Sequence, residues 1–208
     1  MKTIFSVTLM AILLSGCDPR VSGVTLLTGD SLMYFASDEV MLKIVQREQA
    51  HLPVVNAVPG MRSSSNADYM VGRIAAIRER MILDTAFITL GTNDGGLEDL
   101  DIYHLSIEQG RIMDAFNTST IVYWILPRVS LIDRNVGRAL GTQAVIDSIK
   151  SEAAQRSNVI AVDFEQYHIS KGLGLEMYAV DDIHHSYEGE VQLGNMIAQI
   201  LDAAKGVQ

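Results

Sequence analysis

Only one cysteine, Cys17, occurs in 208 residues, so no internal disulfide can staple this chain. There are four prolines, none clustered, which leaves no linker and suits a single domain with one core. Basic residues are outnumbered, 16 Lys plus Arg against 25 Asp plus Glu, and form no stripe. That excludes nucleic acid as a partner and gives the body little attraction for anionic lipid surfaces. Internal repeats and low-complexity segments are lacking. His51, His104 and His168 are scattered, without metal-ligand spacing, and read as solvated or hydrogen-bonded side chains; no metal and no cofactor is expected. "NDGGLEDLD" is acidic but lacks the residue order of a calcium loop, and reads as a solvated loop.

What is present begins with "MKTIFSVTLMAILLSGC". One Lys, an apolar run too short to span a membrane, and small residues before Cys17 have the layout of a secretory signal. The ending "LLSGC" resembles a bacterial lipobox, in which the cysteine is lipidated. The expected organisation is a signal over 1–16, lipidated Cys17 with a short tether over 17–22, and one domain over 23–208. It implies a protein of the bacterial cell envelope, anchored by lipid and facing the periplasm or exterior. A plain signal peptide, or a buried N-terminal segment with an incidental cysteine, is the alternative.

Beyond residue 22 the chain alternates. "GVTLLTG", "LPVVNAVPG", "DTAFITLG", "STIVYWILP" and "NVIAVDF" read as short buried strands closed by turn residues. Between them lie helical patterns over about Leu32–Ala50, over "ADYMVGRIAAIRERM" with Asp68 as a cap, over about 101–116, and over "GTQAVIDSIKSEAAQR". A loop follows the fifth strand, punctuated by Gly172 and Gly174, and a last helix covers about Tyr187–Ala204. Trp124, inside the fourth strand, reads as core. Strands alternating with helices predict an α/β fold, a three-layer α/β/α sandwich around a five-stranded, mostly parallel sheet. Sites in such sheets lie beyond the carboxyl ends of the strands.

Three segments meet that demand: Gly29-Asp30-Ser31 after strand one, "NAVPG" after strand two, and Gly91-Thr92-Asn93-Asp94 after strand three. Ser31 is either a nucleophile or the polar cap of the helix that follows. The Gly-x-Ser-x-Gly nucleophile elbow is absent. Near the C-terminus, "VDDIHHSYEG" places Asp181 three residues before His184. On a turn, that spacing lets the carboxylate hold one imidazole nitrogen while the other faces a serine hydroxyl.

These blocks resemble the SGNH (GDSL-type) hydrolases, in family order and over nearly all of residues 23–208. Gly29-Asp30-Ser31-Leu32 matches the first block, Gly60 the second, Gly91-Thr92-Asn93-Asp94 the third, and Asp181-x-x-His184 with Gly189 the last. The resemblance implies a flavodoxin-like sheet and a serine esterase acting on an acyl ester. Ser31 would be the nucleophile, His184 the base and Asp181 its orienter. The backbone N–H of Ser31, that of Gly60 and the Asn93 side-chain amide would hold the oxyanion.

Two departures stand out. Asp182 occupies a position where the family commonly has Gly, and its carboxylate either turns outward or competes for the imidazole. His184 is followed by His185, which leaves a one-residue alternative for the base. The expected activity is hydrolysis of small or carbohydrate-linked esters through an acyl-enzyme. A lysophospholipase, a thioesterase or an O-acyltransferase would use the same triad. A non-catalytic envelope lipoprotein is the rival of a different class. The oligomeric state is not readable.

Overall fold

Five apolar segments, each closed by a turn, pair side by side because their backbone groups find partners only in neighbouring strands. The computed structural model describes residues 20–46, 52–129 and 136–205. In chain order the elements are β1 (Val21–Gly29), α1 (Ser31–Val45), β2 (Leu52–Ala57), α2 (Ser63–Arg78), β3 (Met81–Thr89) and α3 (Ile102–Asp114). Then come β4 (Ile121–Ile125), α4 (Val136–Ala154), β5 (Val159–Val162), α5 (Phe164–Ser170), a 3-10 turn (Leu175–Met177) and α6 (Tyr187–Lys205). The strand order is β2-β1-β3-β4-β5. All four pairings are parallel, so the sheet is wholly rather than mostly parallel. This is the doubly wound order of flavodoxin-like sheets.

Side chains on a strand alternate between faces, and in the central strands β1, β3 and β4 both faces are largely buried. Leu26, Ala86, Ile88 and Trp124 pack with α2, α3 and α4. Leu27, Phe87, Tyr123 and Ile125 pack with α1 and α6. The strand segments therefore read as continuous apolar runs. Trp124 is fully buried and donates its ring N–H to the Leu90 carbonyl at 3.0 Å, as a core tryptophan must.

Several boundaries differ from the sequence expectation, each for a local reason. β1 starts at Val21, two residues early, because Val21 pairs with Met81 across a register shift that Gly23 accommodates with φ +76°. α2 starts at Ser63, and Asp68 lies inside it, where it pairs with Arg111 instead of capping. Met81, expected at the end of that helix, opens β3. α4 starts at Val136; Gly137 and Gly141 in its opening turns mask the helical pattern. The expected loop after β5 contains α5, capped by Asp163, whose side chain accepts from Gln166 N–H at 3.0 Å. His51 and the N-terminal segment with Cys17 lie outside the described residues. Among the described residues, no helix is long and apolar enough to cross a membrane.

The end of β1 approaches β3 with no room to spare. Gly29 has φ +141°, and a Cβ there would fall 2.3 Å from the Thr89 carbonyl oxygen, a backbone atom fixed in β3. Gly29→Ala is expected to destabilise the protein by about 3 kcal/mol or more, strain and overpacking combined. Chemical denaturation of the purified variant measures it.

Candidate active site

The carboxyl edge of the sheet gathers the motif segments through backbone pairing alone. Gly29 is in register with Ala57 on one side and Thr89 on the other. The Val58 N–H donates to the Gly29 carbonyl at 2.9 Å, and the Asp30 N–H to the Thr89 carbonyl at 2.8 Å. The loops after β1, β2 and β3 thus leave the sheet at one level.

The cap of α1 is Asp30, not Ser31. The Asp30 carboxyl oxygen Oδ1 accepts from Leu32 N–H at 3.0 Å. Ser31 is the first helical residue, and its hydroxyl is 2.9 Å from His184 Nε2. His184 Nδ1 lies 2.6 Å from Asp181 Oδ2. Asp181 Oδ1 accepts from the N–H groups of Ile183 and His184, each at 3.0 Å, which sets the turn that aims the imidazole. Burial works against the charge of Asp181, but the His184 ring and these two amides outweigh it and hold the carboxyl below its ordinary value. Ser31, His184 and Asp181 therefore form one continuous hydrogen-bonded chain.

Gly60 lies on the loop after β2 and Asn93 on the loop after β3. Gly60 has φ +78°, and the space where a side chain would project is empty. The Asn93 amide donates to the Met61 carbonyl at 3.0 Å, tying the loop after β3 to the loop after β2. Of its two N–H groups, this leaves one for another acceptor. Asp94 has a role the sequence did not disclose. It is fully buried and caps α2 from the neighbouring loop, taking Ser63 N–H at 2.8 Å, the Ser63 hydroxyl at 2.9 Å and Ser64 N–H at 2.9 Å. Asp101 caps α3 through His104 N–H at 3.0 Å. The acidic "NDGGLEDLD" segment is thus in part a set of helix caps rather than merely a solvated rim.

No family model matches the chain, and no curated protein matches it in sequence. Solved structures do match in shape. A lipase/acylhydrolase from Enterococcus faecalis superposes with a TM-score of 0.72 at 16% identity, over 87% of this chain and 96% of that one. An acetylxylan esterase from Geobacillus stearothermophilus gives 0.64 at 15% identity, over 88% and 95%. A member of the lipolytic G-D-S-L family from Veillonella parvula gives 0.60 at 17% identity, over 83% and 94%. The chain shares the fold of these three structures.

Within that fold, the two histidines part company. His184 meets Ser31, whereas His185 packs its ring 4.9 Å from Phe164 and 5.8 Å from Tyr178. Burial, then the charges of His184 and His168, push His185 down to about 4, so it stays neutral. The two aspartates part likewise. Asp182 sits at φ +56°, a left-handed position that Asp tolerates better than most residues. Its carboxylate does not compete for the imidazole; it pairs with the guanidinium of Arg128. Arg128 also donates to the Asp182 carbonyl at 3.2 Å and to Glu165 at 3.3 Å, and lies 3.9 Å over the Tyr178 ring. His168 is buried and bonded to the Tyr178 hydroxyl at 3.0 Å, and His104 to the Ser64 carbonyl at 3.1 Å. Among the described residues no group of three His, Cys, Asp or Glu could hold a metal ion.

Asp30 is the electrostatic outlier. It is fully buried, and Oδ2 has no partner. Burial raises its carboxyl from 3.8 to about 7, despite the Leu32 amide and the Thr89 hydroxyl, which act the other way. An acid with a raised folded value is stabilising when protonated and loses that contribution as pH climbs. Folding stability is therefore expected to fall between about pH 4 and pH 7 through this group. Asp30→Asn, which keeps the accepting oxygen, removes that decline. The stability of the variant relative to the parent should rise across this window by on the order of 3 kcal/mol, read from denaturation curves at stepped pH.

Proposed function

We propose that this chain is a serine ester hydrolase acting through an acyl-enzyme on small or carbohydrate-linked acyl esters. The observation that carries the reading is the Ser31–His184–Asp181 hydrogen-bonded chain at the carboxyl edge of the sheet. His184 Nε2 takes the Ser31 proton as Oγ attacks the ester carbonyl carbon. The carbonyl oxygen gains the negative charge, and the N–H groups of Ser31 and Gly60 with the Asn93 amide receive it. Collapse breaks the bond to the alcohol, which leaves with the proton from His184. Water then attacks the acyl-enzyme, gives its proton to His184, and releases the acid and Ser31. Asp181 keeps the ring in the required tautomer and stabilises the imidazolium.

The experiment is hydrolysis of 4-nitrophenyl acetate, butyrate and palmitate by a soluble form starting at Asp18. Turnover should fall by about 10⁴ or more in Ser31→Ala and in His184→Ala. His185→Ala should leave turnover intact. A preference for acetate supports the small-ester reading, and a preference for palmitate favours a lipid or thioester substrate. Transfer of the acyl group to an added sugar in place of water would make it an acyltransferase. A folded protein without turnover on any ester defeats the enzyme reading and favours a binding lipoprotein.

We propose further that Cys17 carries lipid and holds the domain in the bacterial envelope, facing the periplasm or exterior. The support is the "LLSGC" segment. In addition β1 runs from Val21 away from that end, with Ser31 beyond its far end. Cys17→Ser should move the protein from the membrane fraction to the soluble one; retention in the membrane would overturn the anchor.

A further inference from the structure

An exposed aromatic pair stands beside His184 that the hydrolytic chemistry does not use. Phe35 lies one helical turn after Ser31 on α1, and half of its surface faces solvent (54%). Its ring meets the His184 imidazole edge-on at 5.9 Å between centroids. Tyr34, 49% exposed, meets Phe35 edge-on at 5.4 Å. Two adjoining exposed aromatic rings beside a reactive group offer a face on which the apolar part of a ligand can settle.

The chemistry of the triad says which part of an ester would do so. The carbonyl oxygen turns toward the Ser31, Gly60 and Asn93 donors. The departing alcohol oxygen must collect its proton from His184 Nε2, so it lies on the imidazole side of Ser31. Phe35 is on that side. The alcohol, rather than the acyl chain, is therefore the group within its reach.

Charge narrows the alcohol further. Asp38 and Glu39 follow Phe35 within one turn of the same helix, and Glu39 accepts the Tyr187 hydroxyl at the start of α6. Glu190 lies in the field of both acids: after burial, their charges are what push its carboxyl up. Glu188 adds to the field at Tyr187, and the nearest base on α1 is Lys43, a turn beyond Glu39. An anionic alcohol approaching this rim is repelled, whereas an uncharged ring can lay its face on the aromatics.

Building on the hydrolase reading, we infer that Phe35, supported by Tyr34, is the platform for the alcohol portion of the ester, and that this alcohol carries an uncharged ring. The test uses three acetyl esters that form the same acetyl-enzyme: phenyl acetate, 4-acetoxybenzoate and methyl acetate. Variant-to-parent ratios cancel the intrinsic reactivity of each ester. Phe35→Ala should lower kcat/KM on phenyl acetate about three- to tenfold more than on methyl acetate. It should also lower acylation relative to the decay of the acetyl-enzyme, followed after a stopped-flow burst. Phe35→Leu, which keeps bulk without a ring, should fall between, and thermal unfolding confirms that both variants are folded. Normalised to the alkaline hydrolysis rate of each ester, the parent should disfavour 4-acetoxybenzoate against phenyl acetate, and Glu39→Gln or added salt should narrow that gap. Equal losses on phenyl and methyl acetate, or an equally slowed acetyl-enzyme decay, would mean that Phe35 only steadies His184 and would overturn the inference. No preference against the anionic ester would overturn its charge component. Absence of any Ser31-dependent burst defeats the hydrolase reading itself, and the platform with it.

Discussion

The site depends on the hydrogen bonds between Asp30 and Thr89. Asp30 N–H donates to the Thr89 carbonyl, and the Thr89 hydroxyl lies 3.3 Å from Asp30 Oδ1. The same hydroxyl accepts from Met33 N–H at 3.2 Å. Two consecutive elements are thereby bolted to the central strand at the point where β1 becomes α1. No side chain at residue 29 could coexist with this approach, which is why the turn is Gly-Asp rather than any other pair. A serine following this turn has its backbone orientation decided before its hydroxyl makes any contact. In the proposed mechanism, preorganisation of that kind lets Ser31 meet His184 without further ordering at the moment of reaction.

His184 arrives from the opposite end of the chain, 153 residues later, and its placement is less economical. Asp181 and Asp182 are adjacent acids with opposite tasks. One holds His184; the other is drawn under the loop to Arg128. Arg128 is almost fully buried, with only 5% of its side chain exposed, and an unpaired guanidinium there would be costly. Its partners come from two segments, Glu165 on α5 and Asp182 on the turn, with Tyr178 as a flat seat. The left-handed backbone at Asp182 is what points its carboxylate inward and away from the imidazole. A second acid in the His184 turn is thus compatible with a clean triad because the cation beneath claims it.

Much of this could be read in the residues. The central strands announced themselves because both of their faces are buried, which writes apolar runs of strand length between turn residues. The spacing from Asp181 to His184 is a local property, and it survived folding unchanged. What the sequence concealed was mostly non-local. α2 begins four residues before its expected start because its cap, Asp94, lies on another loop, 31 residues on. The direction of Asp182 depends on Arg128, 54 residues earlier, and no nearby pattern encodes that. α5 is seven residues long, under two full turns, so its periodicity carries little weight. Its start was nonetheless marked by Asp163 with Gln166 three residues on, a capping pattern that could have been noticed.

The caps also distinguish two of the helix N-termini at the carboxyl edge, those of α1 and α2. Both α1 and α2 present positive potential there. Asp94 consumes the start of α2 outright, accepting from two amides and a hydroxyl, so that helix has little left to offer a ligand. At α1 the arrangement differs. Asp30 takes the Leu32 amide, one residue further in, and does not compete for the amide of Ser31. A fully ionised Asp30 would still set a negative charge beside any oxyanion forming on Ser31, and in a low-dielectric interior that opposition would be strong. Burial raises the carboxyl to about 7, so over much of the acidic-to-neutral range the cap is neutral while still accepting its hydrogen bond. In the proposed mechanism, the first turn of α1 then keeps its dipole for the oxyanion. Below about pH 7 the acid that shapes the Ser31 turn is thus kept, by its own burial, from opposing the negative charge that the proposed mechanism develops there.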